Sequence, residues 1–149
     1  MKLIDSIKRH EGFVPKAYVD NKGILTIGYG TNIANGISDE EASLLLEYRL
    51  NKAISEVDTL FGGNTMNKLS DSQRDSLYEL MYWIGYNKFI GFKKMIEAVK
   101  VLDFTKASYE MLDSRLGREY TTRTNKLARK LKGDWYVAMD SWRSSIISI

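Results

Sequence analysis

Three side chains near the start of the chain are of the types that acid–base chemistry needs. Glu11 is followed after eight residues by Asp20, and after five more by Thr26. A protonated carboxyl can donate a proton to a leaving oxygen, and a carboxylate beside a hydroxyl can hold and activate a water. An acid and a base facing each other across a cleft describe the hydrolysis of a glycosidic bond. Glu11 falls in the last turn of a short helix, where the negative end of the dipole and partial burial would both disfavour the ionised carboxylate. That is the state a general acid must hold. Each residue also has a plainer role. A glutamate at a helix end is commonly a solvated charge, an aspartate opening a turn is commonly an Asx-turn former, and a strand threonine needs only β-propensity.

The surrounding segments must position these groups. Leu3, Ile4 and Ile7 lay an apolar stripe on the first helix, which stops at Glu11-Gly12. Ala17-Tyr18-Val19 and Leu25-Thr26-Ile27 read as two short strands, with Asp20-Asn21-Lys22-Gly23 as the turn between them. Gly28, Gly30 and Gly36 keep the backbone irregular up to Ile37. Ser38-Asp39-Glu40-Glu41 and Ser70-Asp71-Ser72-Gln73 are capping boxes, each opening a helix. The first of these helices carries its apolar spacing to Gly62-Gly63, where the helical signal splits, and the second closes at Gly85. Further stripes are Phe92 to Val99, Phe104 to Leu112 closing near Gly117, and Leu127 with Leu131 stopping at Gly133. A final short helix is expected over 134–143, around Trp135, Val137, Met139 and Trp142. The expected fold is α+β in one 149-residue domain. A small β-hairpin lobe covers about 12–60, and a larger all-α lobe takes about 1–11 and 61–149, with a cleft between them.

Composition narrows the chemistry. The chain has no cysteine and one histidine, His10, which excludes disulfide scaffolds, thiolate metal sites, a cysteine nucleophile and any site built on two imidazoles. No metal and no cofactor are expected, and acid–base work falls to carboxylates. The net charge of +3 favours a polyanionic partner weakly. Arg115, Arg118, Arg123, Lys126, Arg129, Lys130 and Lys132 form a basic run containing one acid, Glu119. It reads as a solvated helical face, or as a means of attraction to an anionic wall polymer. No nucleic-acid motif accompanies it, so no nucleic acid is expected as a partner. Neither a signal peptide nor a transmembrane span is legible, which places the chain in the cytoplasm until it is released.

Glu11-Gly12-Phe13, Ala17-Tyr18-Val19-Asp20 and Leu25-Thr26-Ile27-Gly28-Tyr29-Gly30 together resemble the phage lysozymes of the T4 type, glycoside hydrolase family 24. Leu80-Met81-Tyr82-Trp83-Ile84-Gly85 with Gly91-Phe92 is similar to that family's central helix and following turn, and Arg123-Thr124-Asn125-Lys126-Leu127-Ala128 to its arginine-bearing segment. The resemblance covers nearly the whole chain.

It implies an endolysin: a muramidase cutting the β-1,4 bond between N-acetylmuramic acid and N-acetylglucosamine in peptidoglycan, with inversion, in the service of host lysis. Glu11 would then be the general acid. Asp20 would stabilise positive charge at the anomeric carbon and help activate water, and Thr26 would position that water. Arg123 would sit near Glu11 and orient it, Tyr82 would stand in the cleft wall, and Gly28 and Gly30 would shape the backbone beside it. The family also implies a monomer and dependence on a membrane-permeabilising, holin-like protein. Two positions depart from the pattern: Thr31 stands where many members have histidine, and Trp83 where relatives often have a small polar residue. A lytic transglycosylase acting on the same bond, and a non-catalytic wall- or nucleic-acid-binding module built on the basic helix, are the alternatives.

Overall fold

The computed structural model describes residues 2–133. The helix expected over 134–143 lies outside them. Two compact units make up the chain, Met1–Leu45 and Leu46–Ile149.

The first unit opens with α1 (Lys2–Glu11), whose end is closed by Gly12 N–H donating to the Lys8 carbonyl at 2.9 Å. β1 (Val14–Val19), β2 (Leu25–Gly28) and β3 (Thr31–Asn32) then form one antiparallel sheet in that order. The register pairs Tyr18 with Thr26 and Thr26 with Asn32, so Thr26 is flanked on both sides. The hairpin is as expected, and β3 is an addition. It is only two residues long and follows Gly28-Tyr29-Gly30, too short for an alternating pattern to reveal it. α2 (Asp39–Phe61) begins in this unit and carries the division between units within it. Its capping box is made as expected: Ser38 N–H donates to Glu41 Oε2 at 2.8 Å and Glu41 N–H donates to Ser38 Oγ at 3.1 Å.

The second unit is helical. After α2 come α3 (Gly63–Met66), α4 (Asp71–Ile84), α5 (Tyr86–Phe89), α6 (Lys93–Lys100), α7 (Phe104–Leu112), α8 (Arg115–Glu119) and α9 (Thr121–Lys132). The split helical signal at Gly62-Gly63 resolves into a break followed by the single turn of α3. The second capping box holds, with Gln73 N–H donating to Ser70 Oγ and Ser70 N–H donating to Gln73 Oε1. Val57, Leu77, Leu80, Phe89, Met95, Val99, Met111, Leu127 and Leu131 pack into one apolar core. α9 lies against both α4 and α7, and small hydroxyl residues allow the approach. Ser76 Oγ donates to the Leu127 carbonyl at 2.7 Å, Ser108 Oγ to Ala128 at 2.9 Å, and Ser72 Oγ to Lys130 at 3.2 Å.

One reading is corrected here. Gly117 does not close α7, which ends at Leu112; it sits inside α8. Its lack of a side chain serves packing, because a Cβ there would lie 2.8 Å from the Leu112 carbonyl carbon. The basic run is accordingly two helices rather than one.

Candidate active site

Asp20 and Thr26 are tied to the backbone of one residue, Ile24. Asp20 Oδ1 accepts from Ile24 N–H at 2.9 Å and from Lys22 N–H at 2.8 Å. The Asp20 N–H in turn donates to the Ile24 carbonyl at 2.9 Å, and Thr26 Oγ1 donates to that same carbonyl, also at 2.9 Å. The aspartate therefore does form the Asx-type turn of its plainer reading. The turn engages Oδ1 alone, leaving the second carboxylate oxygen outside these bonds. Thr26 is the buried polar residue of the sheet, 4% exposed. Its hydroxyl proton is spoken for, so its remaining capacity is as an acceptor, which suits a water's O–H. Sequence reasoning could place Asp20 and Thr26 on one hairpin; Ile24 as the residue joining them carries no side-chain signal.

Glu11 is the last residue of α1. It is exposed rather than partly buried, and its carboxyl group rests against Gly30. A Cβ on Gly30 would lie 2.8 Å from the Glu11 carboxyl carbon, and Gly30 also has φ of +70°, a conformation that L side chains rarely adopt. Close approach and backbone shape both demand glycine there. Tyr29 braces the same segment: its ring centroid is 5.4 Å from that of Phe13, and Lys8 Nζ of α1 lies 5.3 Å above it. Tyr29 is a site-shaping residue that only its place inside Thr26-Ile27-Gly28-Tyr29-Gly30 could have suggested. Gly28 ends β2 and pairs with Val14. Thr31 opens β3 opposite Ile27. The first unit thus brings together Glu11 with Gly30 and, through Ile24, Asp20 with Thr26.

Tyr82 and Arg123 belong to the second unit, where they line a groove of about 900 Å³. Tyr48, Trp83 and Tyr86 share its walls, and Arg49, Lys52 and Lys88 join Arg123 as cations beside one acid, Glu56. Aromatic faces and positive charge suit a sugar strand bearing carboxylates. The Arg123 guanidinium lies over the Trp83 ring at 4.1 Å, with Nη2 3.9 Å from Glu79 Oε1. Elsewhere in the basic run, Arg115 Nε donates to Glu119 Oε1 at 2.7 Å and Arg118 lies 3.8 Å from Asp113. Much of its charge is thus compensated by neighbouring acids. No helix among the described residues is long and apolar enough to cross a membrane.

A small antiparallel sheet carrying a carboxylate–threonine pair, a glutamate at the end of the preceding helix and a helical unit with its own core define a lysozyme-like α+β protein. The phage lysozyme family model matches residues 8–129, a span that includes Glu11, Asp20, Thr26 and Arg123. An endolysin of Acyrthosiphon pisum secondary endosymbiont phage 1 is 32% identical over 110 residues, covering 71% of this chain and 72% of that protein. The chain belongs to the phage lysozyme family, and so to the lysozyme-type glycoside hydrolases that degrade cell walls.

Proposed function

We propose that this lysozyme is an endolysin that hydrolyses the β-1,4 bond between N-acetylmuramic acid and N-acetylglucosamine in peptidoglycan, with inversion at the anomeric carbon. Glu11 donates its proton to the glycosidic oxygen as the bond to the anomeric carbon breaks. Water attacks that carbon from the opposite face and passes a proton to Asp20, while Thr26 accepts a hydrogen bond from the water and fixes its position. The observation that carries this reading is the shared anchor at Ile24, which leaves one Asp20 oxygen and the Thr26 lone pairs available on the same short hairpin. Gly28 and Gly30 shape the backbone, Tyr82 stands in the cleft wall, and Arg123 orients Glu11 and contacts substrate from the groove that it shares with Tyr82. The chain acts as a monomer without a cofactor. It waits in the host cytoplasm until a holin-like protein opens the membrane, and its action on the wall lyses the host.

Glu11→Gln keeps the shape of the side chain and cannot supply a proton. Turnover on purified peptidoglycan should fall by at least about 10²–10⁴-fold, with the melting temperature retained. Mass spectrometry of wild-type products should find reducing muramyl ends. Anhydromuramyl ends would make the protein a lytic transglycosylase, and a Glu11→Gln variant at full rate would remove Glu11 from the mechanism.

A further inference from the structure

The surroundings of Trp83 on α4 give its side chain a purpose. Glu79 and Trp83 are four residues apart on α4 and so share one face of the helix. Arg123, reaching across from α9, meets both. Its guanidinium lies 4.1 Å from the Trp83 ring centroid and 3.9 Å from the Glu79 carboxylate. Each partner is itself held. Tyr120 packs edge-on against Trp83, with centroids 5.5 Å apart and planes at 84°, and Lys130 Nζ donates to Glu79 Oε2 at 3.5 Å. Neither contact would hold a half-exposed arginine strongly alone, since a surface ion pair is weak and a solvated cation–π contact modest. Together they fix the position of the guanidinium.

We infer that Trp83 and Glu79 are positioning residues that hold Arg123 ready for substrate, with Trp83 taking one face of the guanidinium. This rests on the reading of Arg123 as a substrate contact in the groove it shares with Tyr82. A guanidinium donates only in its plane, through five N–H groups. Stacking one face on an indole therefore leaves N–H edges available to the oxygen acceptors of a glycan strand, its acetamido carbonyls and carboxylates. A free arginine would have to give up its side-chain motion on binding, whereas one already stacked gives up less. The benefit should appear in substrate affinity.

Steady-state kinetics on soluble peptidoglycan fragments, run well below each variant's melting temperature, test this. Arg123→Ala should raise KM, whatever it also does to kcat through Glu11. Trp83→Ala should raise KM by about 2- to 30-fold, the span of a cation–π contact from exposed to desolvated. Trp83→Phe, which keeps an aromatic face, should recover most of that loss. Arg123→Lys, which keeps the charge but cannot stack flat, should behave like Trp83→Ala, and Glu79→Gln should show the same defect at smaller size. The double variant Trp83→Ala/Arg123→Ala should be no worse than Arg123→Ala alone. A purely structural Trp83 would instead lower the active fraction, and hence the apparent kcat, at unchanged KM. Should Trp83→Ala not fold, Arg123→Lys and Glu79→Gln decide the matter, and wild-type KM in both overturns the inference. So does additivity in the double variant. Arg123→Ala with wild-type KM would fail one step earlier, by showing that Arg123 does not contact substrate.

Discussion

The two units of the chain are specified by different physics. Every buried apolar side chain among the described residues, from Ala53 to Leu131, belongs to the second unit. Among its described residues the first unit encloses no apolar core of its own, and its buried residue is a threonine. Its shape comes from directional restraints: an Asx turn at Asp20, a ladder through Thr26, a capping box at Ser38 and a glycine pressed against Glu11. The proposed reaction uses the unit built from hydrogen bonds, while stability resides in the unit built from packing. Substitutions should separate along the same line.

The widest separation should come from Met111→Ala. Met111 is fully buried among the helices of the second unit. Removing its side chain should cost about 2–5 kcal/mol of stability, through lost burial and the cavity left behind. Turnover per folded molecule, measured well below the melting point, should stay at the wild-type value. Denaturant melts alongside activity would check both halves. Loss of turnover in step with stability would mean that the units do not divide the work.

Gly30→Ala is the converse. The added Cβ meets the Glu11 carboxyl group, and the residue must hold φ of +70°. One side chain's strain in the left-handed region costs about 1–2 kcal/mol. The displaced Glu11 should cost far more in function, because misplacement of a reacting group by about an ångström can lower the rate about 10²-fold. Wild-type turnover in Gly30→Ala would detach the Gly30 contact from Glu11's role.

Asp20 is where the two kinds of restraint meet, and paired substitutions can divide them. Asp20→Asn keeps an oxygen for the Lys22 and Ile24 amides and loses the negative charge. Asp20→Ala loses both. If the carboxylate is catalytic, both variants should be slow, by about 10-fold or more. Only Asp20→Ala should also lose stability, by about 1 kcal/mol for the unmade turn bonds. Full activity in Asp20→Asn would reduce Asp20 to its turn.

Much of this was legible from residue order, and what was not has physical causes. Capping boxes at Ser38 and Ser70 were readable because a hydroxyl and an acid or amide three residues on bond each other locally. The stops at Gly85 and Gly133 were equally local. α3, α5 and α8 were not readable, since helices of four or five residues are too short to show a period. Gly117 misled because glycine permits close packing as readily as it ends helices. Ser72, Ser76 and Ser108 are ordinary helix residues until α9 is laid against them. Likewise the Glu11–Asp20–Thr26 spacing was visible, while its anchor was not, because Ile24 acts through its backbone. The partners of Arg123 come from α4, some forty residues earlier in the chain.

The smallest expected effect concerns pH, and it too divides between the units. In the first unit, bonds from the Ser38 backbone N–H and then its hydroxyl hold Glu41 below its ordinary value of 4.5. That contribution is present above 4.5 and is lost as acid protonates the folded protein's carboxylate. In the second unit, burial first, and then a hydrogen bond donated to Asp58 Oδ1 at 2.7 Å, push Tyr78 up from 10.0 to about 12. Between those two values the folded protein keeps the phenolic proton that the unfolded chain has released. The folded state therefore binds more protons in that window, and stability must fall as pH rises through it. Tyr78→Phe removes the titrating group and the bond to Asp58 together. Its stability should be lower than wild type at pH 8, by about 1 kcal/mol for the lost hydrogen bond. The gap should then narrow from pH 10 upward, as the wild type alone loses the contribution of its retained proton. Denaturant melts of both proteins from pH 8 to 11 would read this directly. Parallel curves would show that the Tyr78–Asp58 bond does not couple to folding.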